Sequence, residues 1–317
     1  MTAYAGRPVL VLGASGFIGA WTASALCRAG AIVHAVGRDR ARTTAALTRQ
    51  GAQATVTVAD LAGRGSIARV VDAVRPAIVF NLCGYGVDHG EVDARSMTTL
   101  NADLVAELCE TLATRADHWP GLRLVHAGSA LEYGTVAGVL REDSPASPTT
   151  NYGRSKLTGT GHVRRFGASA GLPSVVARLF TVYGPGEHHD RLLPALVRAA
   201  TSGSRLALTG GKQGRDFTYV EDVVEGLLRL GVSEAEPGEV VNLATGTLTS
   251  VRTFAETAAA VLGIDVSKLD FGAIPVADGE MFHQEVSVSR LTELLSWTPA
   301  TRIADGIRRT WEHRDVG

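Results

Sequence analysis

The stretch PVLVLGASGFIG, residues 8–19, constrains the fold more than any other segment of the chain. Its apolar run does not alternate and ends in glycine, the pattern of a strand buried on both faces. Helix-forming sequence follows at once, FIGAWTASALCRAG (17–30), closed by Gly30. The unit then recurs. AIVHAVGR (31–38), ATVTVADL (54–61), AIVFNLCG (77–84), RLVHAGSA (123–130) and SVVARLF (174–180) read as strands. Helical stretches fall between them at 39–50, 66–75, roughly 93–115, and from Asn151 onward. Buried strands alternating with helices predict an α/β protein with a parallel sheet covered on both faces.

After residue 184 the rhythm breaks. YGPGEHHD is a Gly/Pro/His loop, RLLPALVRAATSG a helix, and RDFTYVEDVVEGLLRLG a loop leading into a helix. EVVNLATG (239–246) is a late strand, Ser250 caps a helix at 250–263, and an amphipathic helix lies near 303–313. The expected division is residues 1–184 as the first domain, rejoined at about 216–246, and 185–317 as a smaller domain interleaved with it.

A net charge of −1 on 317 residues, with scattered arginines and no basic tract, argues against nucleic acid as a partner. The three cysteines, Cys27, Cys83 and Cys109, show no paired redox or metal spacing, as expected in a reducing compartment. The N-terminal residues have no signal-peptide layout, and no run of eighteen apolar residues occurs. The expectation is a soluble cytoplasmic protein, without a membrane or a metal.

GASGFIG (13–19) lies between the first strand and the first helix. Gly13, Gly16 and Gly19 suit a tight turn, close approach to a pyrophosphate and close helix–strand packing, and the helix N-terminus offers N–H groups to phosphates. Ser15, Phe17 and Ile18 complete the loop. A cofactor with a free ribose 2′-hydroxyl wants a carboxylate after the second strand, whereas a 2′-phosphate wants an arginine. Gly37 holds the acid's slot, Arg38 follows, and Asp39 caps the next helix. This pattern predicts NADP(H), with NAD(H) possible if Arg38 is simply solvated. Asp60 and Leu61 suit the adenine edge.

NYGRSKLTG (151–159) sets Tyr152 and Lys156 one helical turn apart on one face. An ammonium beside a phenol favours the phenolate; the plain alternative is a surface pair. With these parts in order, the chain resembles the extended short-chain dehydrogenase/reductase family, in its nucleotide-sugar branch. GASGFIG, ADL, NLCG, GSALEYG, NYGRSK, RLFTVYGPG, RDFTYVEDV, VVNLATG and RLTELLSWTPATRIADGI carry the resemblance nearly end to end. It implies a Rossmann-type doubly wound sheet with a smaller C-terminal α/β substrate domain, which closes over a nucleoside-diphospho sugar. It also implies Tyr152 as acid/base and Lys156 as the residue that holds the nicotinamide ribose and lowers the tyrosine's pKa. Ser129, four residues before Tyr133, is the third catalytic member. Leu82, Cys83 and Gly84 of NLCG join the cofactor residues. Asn101 matches a family asparagine, either as a helix-kinking residue or as a proton relay.

Enzymes of this branch run 4-epimerisation, 4,6-dehydration or keto reduction. Dehydratases follow the catalytic Ser or Thr with Asp-Glu, but here Ala130 and Leu131 follow Ser129, and neither transfers protons. Glu132 comes one place later and joins the substrate side. The Arg38 signal and GSALEYG favour NADPH-dependent reduction of a 4-keto-6-deoxy sugar. The alternatives are a 4-epimerase with bound NAD and a non-catalytic NADP-binding regulator. Arg215 of RDF matches a diphosphate-gripping arginine. Arg191 and Arg178 are further candidates, each equally readable as one half of a salt bridge. Thr181 stands where an asparagine commonly precedes VYGP. His188 and His189 read as a loop surface. Relatives pair as homodimers through two helices, here near 93–115 and 152–170, the second with Phe166, Gly159, Gly161 and Ala168.

Overall fold

A computed structural model describes residues 2–86, 90–115, 119, 121–136, 138–276 and 285–313. The repeating unit forms as the sequence dictates. β1 (Pro8–Leu12), β2 (Ile32–Gly37), β3 (Thr55–Val58), β4 (Ile78–Asn81) and β5 (Arg123–Ser129) enter the main sheet. β6 (Val139–Leu140) lies outside it, β7 (Ser174–Leu179) returns to it, and β8 (Thr181–Tyr183), β9 (Leu206–Leu208) and β10 (Gly214–Tyr219) leave it again. β11 (Glu239–Leu243) closes the far edge, and β12 (Leu248–Ser250), β13 (Leu269–Phe271) and β14 (Glu285–Val286) follow. The seven-stranded sheet runs β11-β7-β5-β4-β1-β2-β3, and its pairings are all parallel. Strand order reverses between β1 and β4, the place where an open α/β sheet leaves a crevice at its carboxyl ends.

Helices α1 (Phe17–Arg28), α2 (Arg40–Arg49) and α3 (Ser66–Val74) cross between the early strands. α4 (Ala94–Thr98) runs through a π-helical turn at Thr99–Asp103 into α5 (Leu104–Ala113). α6 (Asn151–Ala170) starts at a Thr150 cap, whose side chain accepts the Gly153 N–H, and ends at Gly171 in the left-handed region. α7 (Leu192–Ser202), α8 (Val220–Gly231), α9 (Val251–Leu262), α10 (Ser289–Leu295) and α11 (Ile303–His313) complete the chain.

Two apolar layers sandwich the sheet. Val9, Val11, Val125 and Val175 face one way with Leu227 and Leu230 of α8; Leu10, Leu12, Val79 and Leu124 face the other with Leu108 and Val163 of α5 and α6. α8 and β11 therefore bring residues 220–243 back onto the sheet. The stretch RDFTY, which reads as loop in sequence, is a strand: β10 pairs with β8 in parallel and with β12 antiparallel. Its alternation is masked because Phe217 and Tyr219 join the core while Asp216 and Thr218 are buried as polar residues. No described helix is long and apolar enough to cross a membrane.

Candidate active site

The glycine loop stands at the strand-order reversal. Gly13 adopts φ +80°, and a Cβ there would lie 2.8 Å from the backbone of Leu82 and Cys83. Only glycine lets the first turn lie against the end of β4. A Cβ on Gly19 would meet the Gly13 carbonyl at 2.1 Å, so helix and turn touch backbone to backbone. Gly16 caps α1 with no side-chain hydrogen bond, and a Cβ there would contact only the Gly13 carbonyl, at 3.3 Å. The first turn of α1 thus presents N–H groups over an open approach, which fits a pyrophosphate.

Beside it, Arg38 and Asp60 are exposed at the ends of β2 and β3, Leu61 is buried, and Leu82 and Cys83 are partly covered at the end of β4. Arg38, Asp60 and Lys156 all bear on the Cys83 thiol, whose pKa burial raises, so the four residues share one crevice. Gly84 is exposed next to Asn101. Residues from four strand ends and one helix N-terminus therefore line a single cleft that suits a dinucleotide. A nicotinamide bound there supplies or accepts hydride.

The catalytic candidates converge on the same crevice from β5 and α6. Lys156 is 3% exposed, and its ammonium donates to the Ala127 carbonyl at 2.5 Å. Ser129 ends β5, close enough to the Tyr152 phenol for its hydroxyl to favour the ionised form. Spacing alone predicts a phenol acidified by its lysine. In the structure burial dominates and pushes the Tyr152 phenol up; Glu132 and Glu91 push the same way, against Ser129 and Arg191. Burial also lowers Lys156, while Glu132 and Cys83 push it back up. Tyr152 is therefore held as a neutral phenol, a proton donor, in the chain by itself.

Asn101 lies in the π-helical turn, where its Oδ1 accepts the Tyr85 N–H at 3.0 Å. Its Nδ2 donates to the Tyr85 carbonyl at 2.7 Å and to Ser155 Oγ at 3.0 Å, and Ser155 Oγ in turn donates to the Tyr152 carbonyl. The kink thus ties the loop after β4 to the backbone of the catalytic helix.

On the substrate side, Thr181 opens β8 half-buried, and Arg191 precedes α7. Arg191 stands near enough to Tyr152 and Arg215 for its charge to bear on both, and it pairs with Glu187 at 3.6 Å. Burial, with Arg191 beside it, lowers the Arg215 pKa. Two guanidiniums facing one cleft make a place for an anion.

One sequence assignment changes, and the choice left open at Arg178 falls to the salt bridge. Glu132 is fully buried and has no oxygen to offer a substrate: Oε1 accepts the Ser129 N–H and the Thr160 hydroxyl, and Oε2 accepts Arg178 Nε at 2.9 Å. Arg178 is accordingly the buried partner of that carboxylate, stacked over Tyr133. His188 and His189 lie on a loop surface as expected, and the adjacent Asp190 joins them, with one ligand atom of each within 4.8 Å of the others. The group pairs internally, His189 with Asp190 at 3.1 Å.

Sequence reading passed over Glu91, whose carboxylate accepts the Gly86 N–H at 2.7 Å and bears on Tyr152. It also passed over Asp216, which takes hydrogen bonds from Thr218, Thr245, Gly246 and Thr247 and so fixes the loop beside Arg215. The only available signal was an acidic residue next to the RDF arginine.

The NAD dependent epimerase/dehydratase family model matches residues 9–244. The chain belongs to that family. It is 31% identical over 184 residues to an uncharacterized UDP-glucose epimerase, YtcB, of Bacillus subtilis; the match covers 58% of this chain and 57% of that protein. It is 28% identical over 318 residues to a dTDP-6-deoxy-L-talose 4-dehydrogenase (NAD(P)(+)) of Kitasatospora kifunensis, covering 96% and 94% of the two chains. The solved structure of MoeE5 with UDP-glucuronic acid and NAD superposes with a TM-score of 0.82 at 28% identity, covering 97% of this chain and 98% of that one. The family's members are NAD(P)-dependent enzymes acting on nucleotide sugars.

Proposed function

We propose that this chain transfers hydride at C4 of the sugar of a nucleoside-diphospho sugar. Tyr152 exchanges the hydroxyl proton, Ser129 hydrogen-bonds the reacting oxygen, and Lys156 holds the nicotinamide ribose. The observation that carries the reading is the convergence of Ser129, Tyr152 and Lys156 on the crevice of the glycine loop. Gly13, Ser15, Gly16, Phe17, Ile18 and Gly19 cradle the pyrophosphate. Asp60 and Leu61 flank the adenine, and Leu82, Cys83 and Gly84 face the cofactor's other end. Arg191 and Arg215 take the diphosphate, with Thr181 beside the sugar.

Among possible outcomes, 4-epimerisation with retained NAD is the one the relatives favour: one is named as a UDP-glucose epimerase, and MoeE5 is solved with NAD. In that reading Tyr152 first gives up its own proton to solvent, then takes the C4 hydroxyl proton as hydride leaves to NAD, and returns it when hydride comes back to the other face of the keto sugar. Net reduction of a 4-keto-6-deoxy sugar by NADPH is the second reading. Gly37 and Arg38 at the end of β2 favour it, as does the full-length likeness to a 4-dehydrogenase that takes NAD(P)(+).

Both readings are tested with a panel of nucleoside-diphospho sugars and their 4-keto-6-deoxy derivatives. Epimer formation with catalytic NAD supports the first. Stoichiometric NADPH oxidation, with NMR of the reduced sugar, supports the second. No C4 chemistry with either set would refute both. We place the enzyme in the cytoplasm with its nucleotide substrates, as a homodimer through α5 and α6; a monomer in sedimentation at micromolar concentration would count against that assembly.

A further inference from the structure

Behind Ser129 lies a buried charge pair that neither touches the cleft nor serves the sheet hydrogen bonding. Glu132, at the end of the 3-10 turn Ala130–Glu132, folds back in a capping box: its Oε1 accepts the Ser129 N–H at 2.8 Å, while Ser129 caps the turn. The same oxygen accepts the Thr160 hydroxyl of α6 at 3.0 Å, and the other oxygen accepts Arg178 Nε of β7. Arg178 in turn donates to the Glu142 carbonyl at 3.2 Å and stacks over Tyr133, whose hydroxyl donates to Asn242 on β11. Three elements, β5, α6 and β7, are thus joined at one carboxylate, and that carboxylate sets where Ser129 points.

We propose that Glu132, clamped by Arg178, is a positioning residue of the active site, holding the Ser129 turn against α6 so that the serine hydroxyl meets Tyr152. The proposal rests on the reading of Ser129 and Tyr152 as the reacting pair. A capping carboxylate at an exposed turn needs no buried arginine. Here both residues are withdrawn from water, with 0% and 3% of their side chains exposed, which is costly unless the geometry is used. The charge has a second consequence. It favours the protonated forms of both Tyr152 and Lys156. The other groups facing Tyr152 are Glu91 and Arg191; those facing Lys156 are Cys83 and His126.

Glu132→Gln tests this, because it keeps the shape but turns one accepting oxygen into an amide nitrogen that must face a donor. Two readouts are needed. Amide hydrogen exchange over residues 128–133 should accelerate about tenfold or more, as expected when a buried charge-assisted bond is lost. In the C4 reaction kcat should fall about 10–100-fold, since full loss of an oxyanion donor is worth ~10²–10³ and here the donor is displaced, not deleted. The limb of the pH–rate profile governed by Tyr152 and Lys156 should move to lower pH, a shift that a loosened turn alone would not produce.

If Glu132→Gln does not fold, the Glu132→Met/Arg178→Met pair removes both charges together and is expected to stay folded. It should show the same faster exchange and a smaller pH shift in the same direction, because Arg178's opposing charge leaves with that of Glu132. Wild-type exchange over 128–133 in a folded variant, or wild-type kcat with an unmoved limb, overturns the proposal. A wild-type protein inactive on every nucleotide sugar refutes the functional reading instead, and the exchange measurement still decides whether Glu132 holds the turn.

Discussion

Thr43 Oγ1 occupies the space that any side chain at position 37 would enter: a Cβ on Gly37 would lie 2.1 Å from it. Thr43 is fully buried on α2, and its hydroxyl donates to the Asp39 carbonyl at 2.7 Å. The slot for a ribose-binding carboxylate is therefore closed by packing as well as empty in sequence. Arg38 stands exposed beside it.

Cofactor selectivity should follow from that pair. NADPH should bind more tightly than NADH through Arg38, by about 1.5–3 kcal/mol for a charge-assisted contact. Arg38→Ala should erase the difference. Gly37→Asp alone should weaken both cofactors, because the new carbon collides with Thr43. Gly37→Asp with Thr43→Ala should recover NADH. Dissociation constants by calorimetry decide; equal wild-type affinities would refute the preference.

Tyr152→Phe keeps the ring and removes the hydroxyl. Turnover should fall ~10²–10⁴-fold, the usual worth of a general acid/base, with cofactor affinity retained. Lys156→Ala should reduce both affinity and turnover, because it also withdraws the ammonium from the Ala127 carbonyl. Ser129→Ala should lower kcat and spare the cofactor. A Tyr152→Phe protein with near wild-type turnover would remove the tyrosine from the mechanism.

The small residues of α6 separate by what they touch. A Cβ on Gly159 would lie 2.2 Å from the Asn101 carbonyl, whereas one on Gly161 meets nothing within 4 Å. Gly159 thus serves packing inside the subunit, against the π-helical turn. Gly159→Ala should destabilise by about 1–3 kcal/mol, the range for overpacking. Gly161→Ala should stabilise an isolated subunit by roughly 0.5–1 kcal/mol, the helix-interior gain over glycine. Thermal melts measure both. If α6 forms the homodimer face, Gly161→Trp should shift sedimentation towards monomer.

The sheet was legible because β1, β4, β5 and β7 are mostly buried apolar runs, and β1 and β2 lead straight into a glycine turn or a helix cap, as at Gly13 and Asp39. The Tyr152–Lys156 spacing and the Ser129 strand end were legible because local geometry sets them. The π-helical turn around Asn101 was not, since a single inserted residue leaves no periodicity to read. Nor was the partner of Glu132: Arg178 lies 46 residues away, and only strand order β5-β7 brings them together. Nor was the balance on Tyr152, where burial, which spacing does not report, is the largest influence.

His126 gives the pH dependence of the fold. It is fully buried on β5, its Nδ1 accepts from Asn81 Nδ2 at 3.1 Å, and its Nε2 has no hydrogen-bond partner among the described residues. Burial, with Lys156 nearby, holds its pKa well below the usual 6.5. Below the unfolded value the unfolded chain binds a proton that the folded chain does not, so stability must fall as pH falls. Once the solution is well below pH ~6.5, the loss approaches ~1.4 kcal/mol per pH unit for this one group. His34 and His162 are also lowered by burial and add shallower slopes of the same sign. They are common to wild type and to His126→Asn, so the difference between the two isolates His126. Urea unfolding at pH 7.5, 6.5 and 5.5 should show the wild type losing stability faster than the variant, with the gap opening below the unfolded pKa. Parallel curves would mean that the folded chain already accommodates the protonated imidazole, and the buried neutral ring would have to be abandoned.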